Sequence, residues 1–207
     1  LPPRSTLFPY TTLFRSADCT GHGVPGAFMS MLGVTLMNEV FTYSNPRTAA
    51  EVLEEMRIKV KEALNQTEYK TEAKDGMDMA LCIIDKSKNE LQFSGAYNSL
   101  YMIRNGELSE YKAVRNPVGV HMKELPFQNE VVNFETNDQF YIFSDGYADQ
   151  VSGISQQKFK IVEFRKLIHS ISNLPMNEQA SKLESTIQIW KGNADQTDDM
   201  LVVGFKV

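Results

Sequence analysis

The chain has 207 residues, 42% of them hydrophobic and 23% charged, with a formal net charge of −5. That balance excludes a disordered or fibrous chain and fits one large globular domain that needs no staples. No basic block points to nucleic acid, and no run approaches the ~18 uninterrupted apolar residues of a membrane span. The two cysteines, Cys19 and Cys82, are too few for a disulfide framework and fit a reduced, cytoplasmic setting.

Residues 1–16, LPPRSTLFPYTTLFRS, hold three of the eight prolines and no acid. They contain a near-duplicate, Thr6-Leu7-Phe8-Pro9-Tyr10 and Thr12-Leu13-Phe14-Arg15. A secretory signal would open on a basic segment followed by an unbroken apolar run, and this string has neither. It resembles translated sequencing-adaptor read-through. We therefore expect 1–16 to be non-native and the domain to run over 17–207, incomplete at its N-terminal side.

From Val24 to Phe41 nearly every position is apolar, which predicts a helix buried all round, with Pro25 in its first turn. Asn45-Pro46 breaks it. Ala49, Leu53, Met56, Val60 and Ala63 recur at spacings of four and three, predicting an amphipathic helix over 47–64. A polar loop over 65–76 follows. Strands are expected at 77–86, 91–94, 99–104, 107–112, 131–134 and 139–144. The second and third of these are expected to pair around Gly95-Ala96-Tyr97-Asn98, and Asn105-Gly106 is a two-residue hairpin signal. Helices at 158–171 and 176–191 and a last strand at 200–207 complete the chain. Helices, then a run of strands, then helices argue for α+β with antiparallel sheets rather than βαβ repeats.

Three acidic clusters stand at predicted strand ends: Asp18, Asp145 and the pair Asp198-Asp199. The end of one strand and the start of an antiparallel neighbour share a sheet edge, so Asp145 and Asp198 are placed to meet. Carboxylates without histidine or thiolate partners suit hard cations such as Mg²⁺ or Mn²⁺. Two such ions lower the pKa of a water and clamp a phosphoryl group. Taken singly, each Asp also reads as an ordinary cap or turn residue.

Other signals are weaker. Gly21-His22-Gly23-Val24-Pro25-Gly26 matches GxGxxG, yet no acid closes a second strand some 20 residues on. Cys19 beside His22 suggests a thiol nucleophile, but no anion-cradling loop ending in Arg follows. His22 is either a proton donor or a packing residue. Cys82 lies mid-strand and reads as core, and His121 and His169 read as surface residues.

Several segments taken in order resemble one family. They are Asp18-Cys19-Thr20-Gly21-His22-Gly23-Val24-Pro25-Gly26-Ala27, Gly76-Met77-Asp78-Met79-Ala80-Leu81, Phe143-Ser144-Asp145-Gly146 and Gln196-Thr197-Asp198-Asp199-Met200. Ser94-Gly95-Ala96-Tyr97-Asn98 and Asn116-Pro117-Val118-Gly119 fit the same pattern. The family is the stage II sporulation protein E type of the metal-dependent PPM protein serine/threonine phosphatases.

The resemblance implies an αββα sandwich, two antiparallel sheets flanked by helices, here lacking the first strands. It implies that Asp18 bridges two Mn²⁺ or Mg²⁺ ions, helped by the backbone carbonyl of Cys19, and that Asp145 and Asp198 bind one of them. Asp199 is expected behind the ligands, and Asp78 and Asp149 at an auxiliary metal or substrate contact. The implied reaction is attack by a metal-activated water on phosphoserine or phosphothreonine in a bacterial signalling protein. An anti-sigma-factor antagonist is one such substrate, and an N-terminal sensor or membrane module is expected in the intact protein. The family's earlier strand pair, with its Gly-Asp and Asp, has no counterpart in 1–16, so the chain as given is expected to be weak or inactive. The rival reading is a non-catalytic pseudo-phosphatase interaction domain.

Overall fold

The computed structural model describes residues 11–21, 23–44, 46–66 and 75–207. The chain divides into two compact units, Leu1–Ser99 with Tyr111–Phe134, and Leu100–Glu110 with Glu135–Val207. Each is an antiparallel sheet with helices, which is the α+β class expected.

The first unit holds β1 (Thr11–Cys19), α1 (Gly23–Glu39), α2 (Ala49–Ala63), β2 (Gly76–Asp85), β3 (Glu90–Ala96), β6 (Val118–Gly119) and β7 (Glu130–Asn133). Its sheet runs β1-β2-β3-β7, with β6 also on β2. β2 is buried almost throughout, so its run of Met77, Met79, Leu81 and Ile83 feeds one core with Leu53, Met56 and Val60 of α2. Thr48 caps α2, its hydroxyl accepting from Glu51 N at 3.2 Å. Asn129 Oδ1 accepts from Ala49 N at 3.0 Å. The buried Arg57 guanidinium donates both terminal nitrogens to Leu125 O and lies 3.9 Å from the Phe127 ring centre. Two strands were not expected at these places. β1 takes in Thr11–Ser16, which pair with Ala80–Asp85, and β6 is too short to leave a period in the sequence.

The second unit holds β4 (Leu100–Arg104), β5 (Glu107–Tyr111, whose last residue groups with the first unit), β8 (Gln139–Phe143), α3 (Gly146–Asp149), α4 (Ile161–Ile171), α5 (Met176–Lys191) and β9 (Val202–Lys206). Its sheet runs β5-β4-β8-β9. Asn105 (φ 51°) and Gly106 (φ 79°) both lie at positive φ, as a type I′ hairpin requires. Phe143, Tyr147, Phe159 and Phe164 pack with Ile168 and Ile187. Tyr147 OH donates to Leu183 O at 2.8 Å, tying α3 to α5.

Two expectations are corrected. Leu91–Ser94 and Ser99–Arg104 do not form a hairpin: β3 pairs with β2 and β7, and β4 belongs to the other sheet. The intervening turn is held instead to Val114, which donates to Gly95 O at 3.0 Å and accepts from Tyr97 N at 2.9 Å. Tyr97 sits at φ 59° there. The helix over 24–41 is not buried all round. In α1 only Gly26, Met29, Leu36 and Met37 are buried, while Phe28 and Met31 are 68% and 67% exposed. An apolar residue is not thereby a buried one, because a helix laid on a sheet has only one face to cover. α1 continues as a π-helical turn, Val40–Ser44, and Gly23–Ser44 is long and apolar enough to cross a membrane.

Candidate functional site

In the first unit, the β1–β2 register sets Asp18 opposite Asp78, and Cys19 opposite Met77. Directly opposed residues bring their Cβ atoms to about 4.5–5.5 Å. Two acids therefore share a ladder position where like charges repel. Beyond β1, Thr20 closes the strand end, its N–H and hydroxyl both donating to Gly76 O at 3.0 Å. Gly21 (φ 91°) and Gly23 (φ 65°) then turn the chain into α1. A Cβ on Gly26 would stand 2.5 Å from Gly21 O, so this turn admits only glycine there. His22 lies outside the described residues.

Burial foremost pushes the Cys19 thiol above its ordinary range; the Ser30 hydroxyl lowers it and the Asp18 charge raises it. A thiol so placed forms the thiolate less readily than an exposed one, which argues against the nucleophile reading. The dinucleotide reading also falls, since β1 and β2 are antiparallel and α1 is followed by α2.

In the second unit, Phe143 pairs with Val202, so the exit of β8 and the entry of β9 share one edge. Asp145 follows the first and Asp198-Asp199 precede the second. Ser144, almost fully buried, joins them: its hydroxyl donates to Asp199 O at 2.8 Å and accepts from Leu201 N at 3.0 Å. Asp199 N donates to Asp198 Oδ1 at 2.7 Å. Gly146 leaves room for this crossing, because a Cβ there would run into Asp199 O. Gln150 secures the segment from behind: its amide donates to Asp195 O at 2.9 Å and its Oε1 accepts from Thr197 N at 3.2 Å.

The Asp145 carboxyl keeps a solvent-facing edge, yet the packed chain around it withdraws water and raises its pKa. The charges of Asp198 and Asp149 push the same way. Lys158 opposes them, its Nζ 2.6 Å from Asp149 Oδ2. Asp149, expected at an auxiliary contact, is therefore ion-paired.

The structure thus brings Asp145, Asp149 and Asp198 near one another in one unit, and Asp18 and Asp78 together in the other. Among the described residues no three His, Cys, Asp or Glu are arranged to hold a metal ion. The donor chemistry still fits a hard cation, since every available group is a carboxylate or carbonyl oxygen. Sequence reasoning gave no part to Gln150 or Lys158. Their signal was position alone, just past the Asp-Gly turn.

Comparison with solved structures identifies the class first. The SiaA-PP2C domain of Pseudomonas aeruginosa is 28% identical with a TM-score of 0.84, covering 94% of this chain and 75% of that one. The PP2C phosphatase domain of SpoIIE from Bacillus subtilis, solved with a fragment of its regulatory domain, is 16% identical with a TM-score of 0.72. There 95% of this chain and 55% of that one are covered. The RsbU and RsbW domains of a Mycobacterium tuberculosis protein match at 18% identity and a TM-score of 0.69, over 95% of this chain and 52% of that one. This chain thus spans about half the length of the latter two. Its fold is that of the PP2C, or PPM, phosphatase domains. The stage II sporulation protein E (SpoIIE) family profile matches residues 10–207, and the chain belongs to that family. No curated protein matches it in sequence.

Proposed function

We propose that this chain is the catalytic domain of a metal-dependent protein serine/threonine phosphatase, weakly active as given, that removes phosphate from a phosphorylated bacterial regulatory protein. The observation that carries this reading is the placement of Asp145, Asp149 and Asp198 near one another past the ends of β8 and β9, with the Asp145 carboxyl raised first by burial and then by the charges of Asp198 and Asp149. Family membership supplies the reaction class. A substrate of the anti-sigma-factor-antagonist kind follows from the family resemblance, and a cytoplasmic setting from the two cysteines, whose thiols are free.

In the second unit Asp145 and Asp198 would hold Mn²⁺ or Mg²⁺; in the first unit the matching oxygen donors are Asp18 and the Cys19 carbonyl. Asp199 serves through its backbone, which Ser144 fixes, and Asp78 faces Asp18. The bound cations supply charge neutralisation at the phosphoryl oxygens and an activated water. The chain's own contribution is placement. Ser144 and Gln150 hold Asp198 and its neighbours in one position. Lys158 takes up the charge of Asp149, leaving Asp145 and Asp198 for the cation. The thiol of Cys19 has no part in the bond exchange, so no covalent intermediate is required.

The test is phosphate release from a serine-phosphorylated casein with Mn²⁺ and with EDTA. Release should depend on the metal and fall at least about 100-fold in Asp198→Asn, with the circular dichroism spectrum unchanged. Release that persists in EDTA, or that survives the substitution, overturns the reading.

A further inference from the structure

One exposed element next to the acids enters the scheme above only through Lys158 at its base; its tip has no part there. The segment Val151–Lys158 is a closed hairpin. Val151 and Lys158 form an antiparallel bridge, and Ser152 N donates to Gln157 O at 2.9 Å. The Ser152 hydroxyl, buried inside the turn, accepts from Ile154 N and Ser155 N, each at 3.2 Å. Gly153 N donates to Lys191 O at 3.0 Å, and a Cβ on Gly153 would stand 2.6 Å from that oxygen, so the hairpin is pressed against the end of α5. Gln156 accepts a positive φ of 56° to close the turn.

All this holds up one side chain, Ile154, which is 93% exposed. A hydrogen-bonded turn of this kind holds Ile154 in one place in water, where it buries nothing against the fold. The charge pattern is equally particular. From Gln150 to Val162 there is no acid, and the charged residues are Lys158 and Lys160, in a chain whose net charge is −5. Lys158 also ties the hairpin base to Asp149 at 2.6 Å.

We propose that the Val151–Lys158 hairpin is a docking element for the phosphoprotein substrate, with Ile154 as its apolar contact and the lysine flank facing an anionic segment. This rests on the phosphatase reading above. Ile154 is five steps along the chain from Asp149, so the tip lies within about 18 Å of that acid. A standard protein interface covers about 800 Å² per partner, a patch of about 16 Å radius. The hairpin base is itself paired to Asp149, so a protein whose phosphoserine reaches Asp145 comes within reach of the hairpin, whereas a small phosphate ester does not. The element sorts substrates by size and surface and leaves the bond cleavage to the acids.

The experiment compares kcat/KM on serine-phosphorylated casein with kcat/KM on p-nitrophenyl phosphate, in Mn²⁺, for the unaltered chain, Ile154→Ser and Ile154→Val. In Ile154→Ser the ratio of the two should fall about fivefold to tenfold, through KM for casein. Ile154→Val should keep the ratio within about twofold, and thermal melts of all three should agree. An unchanged ratio in Ile154→Ser, or an equal loss on both substrates, overturns the docking role while leaving the phosphatase reading intact. Absence of metal-dependent release from either substrate by the unaltered chain overturns that reading, and this proposal with it.

Discussion

Asp18 and Asp78 in the first unit are held by the ladder itself, residues of two paired strands whose backbone bonds fix their direction. Asp145 and Asp198 in the second unit lie past the last ladder pair, Phe143 with Val202, and are held by a serine hydroxyl, a glutamine amide and the absence of a glycine side chain. A ladder tolerates change nearby because many bonds share its load. A crossing of two loops does not, because a few named atoms carry it.

The sharpest test of that difference is a pair of alanine substitutions. Gly146→Ala drives a Cβ into the Asp199 carbonyl and must shift the Asp198 segment. A displacement of about 1 Å in such groups costs about 100-fold in rate. Gly26→Ala meets Gly21 O at 2.5 Å and shifts the turn behind Asp18, but nine ladder pairs of β1 with β2 stay in place. We expect a loss nearer tenfold, measured as Mn²⁺-dependent phosphate release. Equal losses would break the comparison.

A second test reads the buried polar network of the second unit. Tyr141 OH lies 2.7 Å from Gln139 Oε1 and from Gln179 Oε1. Burial pushes its pKa up to about 12 from 10.0, with the Gln179 bond pulling the other way. The folded chain thus keeps this proton where the unfolded chain has lost it, so stability falls as pH rises from about 10 to about 12. Tyr141→Phe should cost about 1 kcal/mol below pH 10 and flatten that fall, in urea titrations at several pH values.

The smallest expected effect has the opposite sign. Lys160, before α4, sits at φ 74° and ψ 143°, a region left almost entirely to glycine, and strain of this kind costs about 1–3 kcal/mol. Part of the relief in Lys160→Gly is offset by the freer unfolded chain. A gain of about 1 kcal/mol in the same titrations is expected; no gain would mean that the fold bears no strain there.

Much of this was readable beforehand where one signal sufficed. The 4-3-4-3 spacing of Met176, Ala180, Leu183, Ile187 and Trp190 placed α5 at its observed ends. Asn105-Gly106 placed the one tight hairpin of the second sheet. The meeting of Asp145 with Asp198 followed from strand order alone. What failed depended on partners distant in sequence. Nothing local tells Leu91–Ser94 that its neighbours are β2 and β7, or Phe28 that no element covers it. Ser144 and Gln150 matter through backbone atoms some 45 to 55 residues away, and such bonds leave no periodicity. Thr11–Ser16, excluded from the domain on composition, pairs residue for residue with β2; a composition argument carries no information about pairing.

β1 has a neighbour on one side only among the described residues. Among those residues its other row of peptide groups is an open selvedge, the margin from which a woven sheet begins to unravel. Local opening starts at such margins at a fraction of the free energy of global unfolding. Asp18 rides on this thread, so an opening that spreads along the margin reaches one of the acids of the proposed chemistry. The lifetime of the site is then set by how firmly that edge is stitched, and the strength of either core matters less.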